Sequence, residues 1–143
     1  MRKSIASVPV APVLLVAFLA CRSDKPEAQV RKAFGACVAA VEAGDAAAAA
    51  EPLDPAFRGP EGMDRAAARG FLAGLLRREK VGITVLRNDL AARETEVQQE
   101  VDLLLTGGGG LIPRETSRRT FHLRWRRAGG AWRLVELRAP EGP

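Results

Sequence analysis

The apolar positions of this chain change their period twice. Residues 1 to 20 carry an uncharged apolar run behind two basic residues, residues 26 to 80 repeat their apolar positions every three or four, and residues 81 to 139 alternate. In the middle block Val30, Phe34, Cys37 and Val41 fall on one stripe, which predicts a helix from Pro26 to Glu42 with one buried face. Proline in its first turn and Gly44 beyond its end are the usual punctuation of such a helix. Ala46 to Ala50, between Asp45 and Glu51 and closed by Pro52 and Pro55, predicts a short second helix capped by Asp45. Asp54 to Gly62 is rich in Pro, Gly and charge and is expected to be a surface loop. A third helix, capped by Asp64, presents Ala67, Ala68, Phe71, Leu72, Leu75 and Leu76 to the core, with Arg77, Arg78 and Lys80 at the end where cations suit the helix dipole.

After Val81 the period is two. Val81, Ile83 and Val85 alternate, and the phase slips before Leu86, Asn88 and Leu90, which predicts a bulge in a long strand. Thr95 to Leu105 puts Val97, Val101, Leu103 and Leu105 on one face and Glu96, Gln98, Glu100 and Asp102 on the other, as a half-buried antiparallel strand does. Gly107 to Gly110 and Pro113 break the pattern and predict a flexible connection. Thr116 to Arg127 resumes it, with Phe121, Leu123 and Trp125 opposed to Thr120, His122, Arg124 and Arg126. The Ala128-Gly129-Gly130 turn then leads into a last strand from Ala131 to Ala139. Helices first and a curled antiparallel sheet second is an α+β order, in which the apolar face of the sheet takes the helices as its lid.

The apolar run from Val8 to Leu19 is shorter than the roughly 20 residues that span a bilayer, is broken by Pro9 and Pro12, and ends at Ala20-Cys21. With Arg2 and Lys3 ahead of it, it resembles the signal of bacterial lipoprotein precursors. That resemblance implies cleavage after residue 20, lipid on Cys21, a tether over residues 21 to 25, and a domain over residues 26 to 143. It also implies attachment to the cell envelope, and Arg22 in place of an inner-membrane retention aspartate points to the outer membrane, facing the periplasm. The mature chain of 123 residues is one small domain with 20 basic and 17 acidic side chains. An excess of that size, mostly arginine in an Ala-, Gly- and Pro-rich composition, argues against nucleic acid as a partner.

With Cys21 lipidated, Cys37 has no disulfide partner, and on its buried stripe it reads as an inert core thiol. One histidine and two cysteines give no zinc spacing, and Gly107 to Gly110 lacks the Lys-Ser/Thr of a phosphate loop, so no metal or cofactor is expected.

Leu123-Arg124-Trp125-Arg126-Arg127, the Gly-Gly turn and Trp132-Arg133-Leu134-Val135 resemble the closing hairpin of the nuclear transport factor 2-like, or SnoaL-like, superfamily, and the resemblance extends over residues 26 to 139. It implies a cone-shaped, cystatin-like domain: a curved antiparallel sheet wrapped around N-terminal helices, enclosing an apolar cavity that different members use for catalysis, ligand binding or docking. Fold alone does not choose among these. On that reading the pocket is lined by Phe34, Phe71, Leu75, Val101, Leu103, Phe121, Trp125 and Trp132. Ketosteroid isomerase, in the same superfamily, pairs an aspartate base with a tyrosine, and this chain has no tyrosine. A His-Asp pair would need His122, which alternation places on the solvent side. Arg114, Arg118, Arg119, Arg124, Arg126 and Arg127 are expected to be solvated and largely paired with Glu96, Glu100 and Asp102, rather than to bind a phosphorylated headgroup.

These observations point to an envelope lipoprotein with a non-catalytic cone, its partners being the membrane through its lipid and a small apolar ligand or an envelope protein; a homodimer is compatible with the same reading. The alternatives are a lyase or isomerase using the same cavity, favoured by an inward acid, and an interaction module for envelope assembly or immunity, favoured by an exposed apolar patch.

Overall fold

The structure, a computed structural model, describes residues 25–107 and 117–140. Helix α1 spans Pro26–Glu42, with Gly44 beyond its end at φ 76°, a conformation glycine adopts without a Cβ clash. Helix α2 spans Ala46–Ala50, and its Asp45 cap accepts the Ala48 N–H at 3.0 Å. Helix α3 spans Arg65–Arg78, capped by Asp64 through the Ala67 N–H at 2.8 Å. Strands β2 (Gly82–Arg93), β3 (Glu96–Thr106), β4 (Ser117–Ala128) and β5 (Ala131–Arg138) form an antiparallel run. Gly129 and Gly130, at φ 59° and 80°, supply the two positive-φ positions that a tight β4–β5 hairpin needs.

The stretch expected as a loop is partly a strand. Leu53–Arg58 forms β1, which pairs in parallel with β5, so the sheet is mixed with order β1-β5-β4-β3-β2 rather than wholly antiparallel. Pro55 and Asp54 hid it: proline is accepted in an edge strand, and the Asp54 carboxylate folds back on the Ala56 N–H at 2.8 Å. Leu53 and Phe57 are buried by this strand, with Phe57 only 2% exposed. Pro60–Gly62 is a single 3-10 turn.

The expected slip in β2 is present: Val85 pairs with Leu103 and Arg87 with Asp102, leaving Leu86 as the bulged residue. A second irregularity, between the pairs Arg124–Glu136 and Trp125–Leu134, bends β5 against β4. Strand parity sorts the two faces. Val97, Val101, Leu103, Leu123 and Trp125 enter one apolar core with Val30, Phe34, Leu53 and Phe57, while Glu96, Glu100, Asp102, His122 and Arg124 share the outer face. The expected connection at residues 108–113, Arg114 and Cys21 all lie outside the described residues.

Candidate functional site

Between the curved sheet and the helices lies a cavity of about 530 Å³, within the range of small-molecule sites. Phe34 and Cys37 reach it from α1, Ala49 from α2, Leu53 and Phe57 from β1, Ala68, Phe71, Leu72 and Leu75 from α3, and Leu105, Phe121, Leu123, Trp125, Leu134 and Leu137 from the other strands. Pro60, Glu61 and Met63 complete its rim. Phe71 is 48% exposed while lining the cavity, which puts its ring at the entrance.

The inner wall is fixed by a polar relay set into the apolar core. The Trp125 Nε1–H donates to Gln99 Oε1 at 2.8 Å, and Gln99 Nε2 donates to Asn88 Oδ1 at 2.8 Å. Both Trp125 and Gln99 are buried, so each amide and indole group needs its partner. Because the indole N–H is taken by Gln99, Trp125, itself fully buried in the wall, presents no donor to the cavity. Gln99 was not singled out by the sequence, although its parity with Val97 and Val101 is a signal that it faces inward.

Among the described lining residues the ionisable side chains are Cys37 and Glu61. Burial pushes the Cys37 thiol up to about 11, so it stays protonated and unreactive at neutral pH. Glu61 stands exposed at the rim, at φ 60°, a left-handed conformation that few non-glycine residues take. No group of three or more His, Cys, Asp or Glu able to hold a metal exists among the described residues.

The expected lining residues divide. Phe34, Phe71, Leu75, Phe121 and Trp125 meet at the cavity, but Val101, Leu103 and Trp132 do not. Val101 and Leu103 are sealed in the core, at 0% and 6% exposure. Trp132 turns toward α1, where its Nε1–H donates to Gln29 Oε1 at 2.6 Å and fastens the last hairpin to the first helix. The sequence also omitted Leu53, Phe57 and Met63, which become wall residues only through β1 and the turn after it.

His122 lies on the outer face, its Nδ1 3.4 Å from Glu100 Oε2. Around it the carboxylates are engaged. Asp102, its side chain 6% exposed, accepts from Arg118 Nη2 at 2.7 Å, Thr120 Oγ1 at 2.8 Å and Arg87 Nε at 3.3 Å. Hydrogen bonds from Arg118, Thr120 and Arg87, in that order, hold its carboxyl well below the usual carboxylate range. Arg87 also reaches Asp89 at 2.8 Å and pairs with Glu100, and its hydrogen bonds to Asp102 and Glu100 push its pKa above the usual guanidinium value. Arg124 bridges Glu96 at 3.0 Å and Glu136 at 3.4 Å. Arg126 reaches Asp54 at 3.2 Å. Arg119 and Arg127, grouped with that face by the sequence, instead pair in register with Leu103 and Trp132 and so hold the opposite parity.

No family model and no curated protein matches the chain. Solved structures do. Bd1075 of Bdellovibrio bacteriovorus superposes with a TM-score of 0.68 at 7% identity over 77% of this chain, which spans 39% of that protein. A nuclear transport factor 2-like protein of unknown function from Pseudomonas putida gives 0.67 at 12% identity, covering 79% of this chain and 84% of the other. A protein of unknown function with a cystatin-like fold from Nostoc punctiforme gives 0.63 at 12%, covering 82% and 93%. The domain therefore has the nuclear transport factor 2-like, cystatin-like fold.

Proposed function

We propose that this chain is a lipoprotein, anchored through Cys21 to the outer membrane and facing the periplasm, whose cone binds a small uncharged apolar ligand without converting it. The observation that carries the binding half is the wall itself. Carbon surface from three helices and the sheet surrounds the cavity, and Trp125 spends its one donor on Gln99. A charged ligand would lose its hydration there with no buried counter-ion among the described residues to answer it. The anchoring half is supported by the basic start, the apolar run from Val8 to Leu19 and the Ala20-Cys21 junction.

The full chain should bind the uncharged probe N-phenyl-1-naphthylamine saturably. Met63→Trp, which fills the rim, should weaken that binding at least about tenfold without changing the unfolding transition. Unsaturable binding, or binding indifferent to Met63→Trp, would remove this reading. Intact mass of the membrane-extracted protein should show a diacyl or triacyl adduct beginning at Cys21, and an unmodified Met1 terminus would remove the anchoring half.

One observation favours the lyase or isomerase reading: Glu61 is a carboxylate at the cavity rim, held at positive φ. If it served as a base, Glu61→Gln would abolish turnover and leave probe binding intact. On the binding reading the same substitution leaves both the probe affinity and the fold unchanged.

A further inference from the structure

The outer face of the sheet neutralises its arginines, and α3 does not. Its sequence, Arg65–Arg78, contains arginine at positions 65, 69, 77 and 78 and no acidic residue. Glu51 and Asp54 share a recess with Arg65 and Arg69, and Glu42 and Glu79 share one with Arg77 and Arg78, but Glu42 accepts the Ile83 N–H at 3.5 Å and the others are engaged as well. Asp64 caps the helix, Asp54 is held by Arg126, and Glu51 lies 3.7 Å from Arg133. None of the four helix arginines forms an ion pair with another described residue.

Several choices in α3 work against the helix itself. Arg65 occupies the first helical position, where the positive end of the dipole repels a cation. Gly70 and Gly74 lower helix propensity, and a Cβ at either would meet nothing within 4 Å, so close packing inside the domain does not require them. Phe71, beside Gly70, leaves 48% of its surface in water. Local choices that oppose their own element mark places where something outside the element sets the residue.

We infer that the solvent side of α3 is a docking surface for an anionic lipid membrane. Arg69 and Arg78 flank an outward stripe of Gly70, Gly74 and Arg77, opposite the buried Ala68 and Leu75, so a broad negative surface laid on that stripe is reached by cations from both sides. The two glycines let a broad surface approach the backbone, and the exposed Phe71 ring supplies the apolar contact that lies at headgroup depth. Phe71 also forms part of the cavity wall, so docking by this helix brings the cavity entrance to the lipid. The apolar run from Val8 to Leu19 of the same chain gives it independent means of reaching a membrane, and the inference does not require lipid on Cys21.

The test uses the isotopically labelled full chain with bicelles doped with a gadolinium-chelating lipid, in phosphatidylcholine alone or with about one third phosphatidylglycerol. Amide signals of Gly70, Phe71 and Gly74 should broaden in the anionic bicelles and recover when salt is raised severalfold, because attraction to the surface decays within a Debye length. Replacing Arg69, Arg77 and Arg78 by Gln should lower the docked population roughly 100-fold, at about fivefold per cation, and abolish the broadening. Arg124→Gln with Arg126→Gln, on the neutralised sheet face, should leave it intact. Broadening equal in both lipids, or abolished by the sheet-face pair, overturns the inference. So does its absence from anionic bicelles, which would make an acidic protein the class of partner to seek.

Discussion

On the outer face of the sheet Asp102 is gripped by Arg87, Arg118 and Thr120 from the strands on either side, while its neighbours Val101 and Leu103 point the opposite way into an apolar core. Within that core a polar relay runs from Trp125 through Gln99 to Asn88, and both of its hydrogen bonds are made. The outer face carries many charges, most of them partly exposed, and Asp102, Arg87 and Arg124 are each held by more than one partner. Single residues therefore matter more on the inner face. An inner polar group has one partner and no water to replace it, whereas an outer charge has solvent and other ions in reserve.

The largest loss of stability is expected in the core. Trp125 is fully buried, so Trp125→Ala should cost about 3–5 kcal/mol in denaturant unfolding and leave Gln99 without its donor. A loss below about 1 kcal/mol would mean that the inner wall is not packed as described. Gln99→Ala should cost about 1–3 kcal/mol, because both the indole N–H and the Asn88 Oδ1 lose their partner. Combined with Trp125→Phe, it should cost less than the sum of the two, and strict additivity would show that the relay is not a coupled unit.

On the outer face the measurement is pH. Asp102 has a lowered folded pKa, so its contribution is complete above the unfolded carboxyl value of about 3.9 and is lost as pH falls through the lower folded value. Asp102→Asn should therefore flatten the fall of stability below about pH 4, and an unchanged acid limb would deny it that role. The smallest effect is expected at His122, 43% exposed beside Glu100: His122→Ala should change stability by less than about 0.5 kcal/mol.

How much of this was legible follows the same division. The caps at Asp45 and Asp64 and the strand parities are local signals, and the structure has both caps and the outward placement of His122. The slip at Leu86 was likewise visible as a change of phase. Strand β1 was not, because Asp54 and Pro55 carry turn chemistry and only parallel pairing with β5, some eighty residues on, makes them a strand. With β1 went Leu53, Phe57 and Met63 of the cavity. Val101, Leu103 and Trp132 were placed on the correct apolar set, yet which of its members are sealed beneath α1 and which face open space depends on how helices and sheet meet, and alternation does not encode that.

On the proposed function the inner face receives apolar matter and the outer face does not. The most direct measurement is a titration of the isotopically labelled full chain with N-phenyl-1-naphthylamine, following side-chain resonances on both faces. Saturable shifts at Phe34, Leu72, Phe121 and the Trp125 ring, with His122 and Arg124 unmoved, are the predicted result. Shifts centred on His122 and Arg124, or none at saturating probe, would contradict the account.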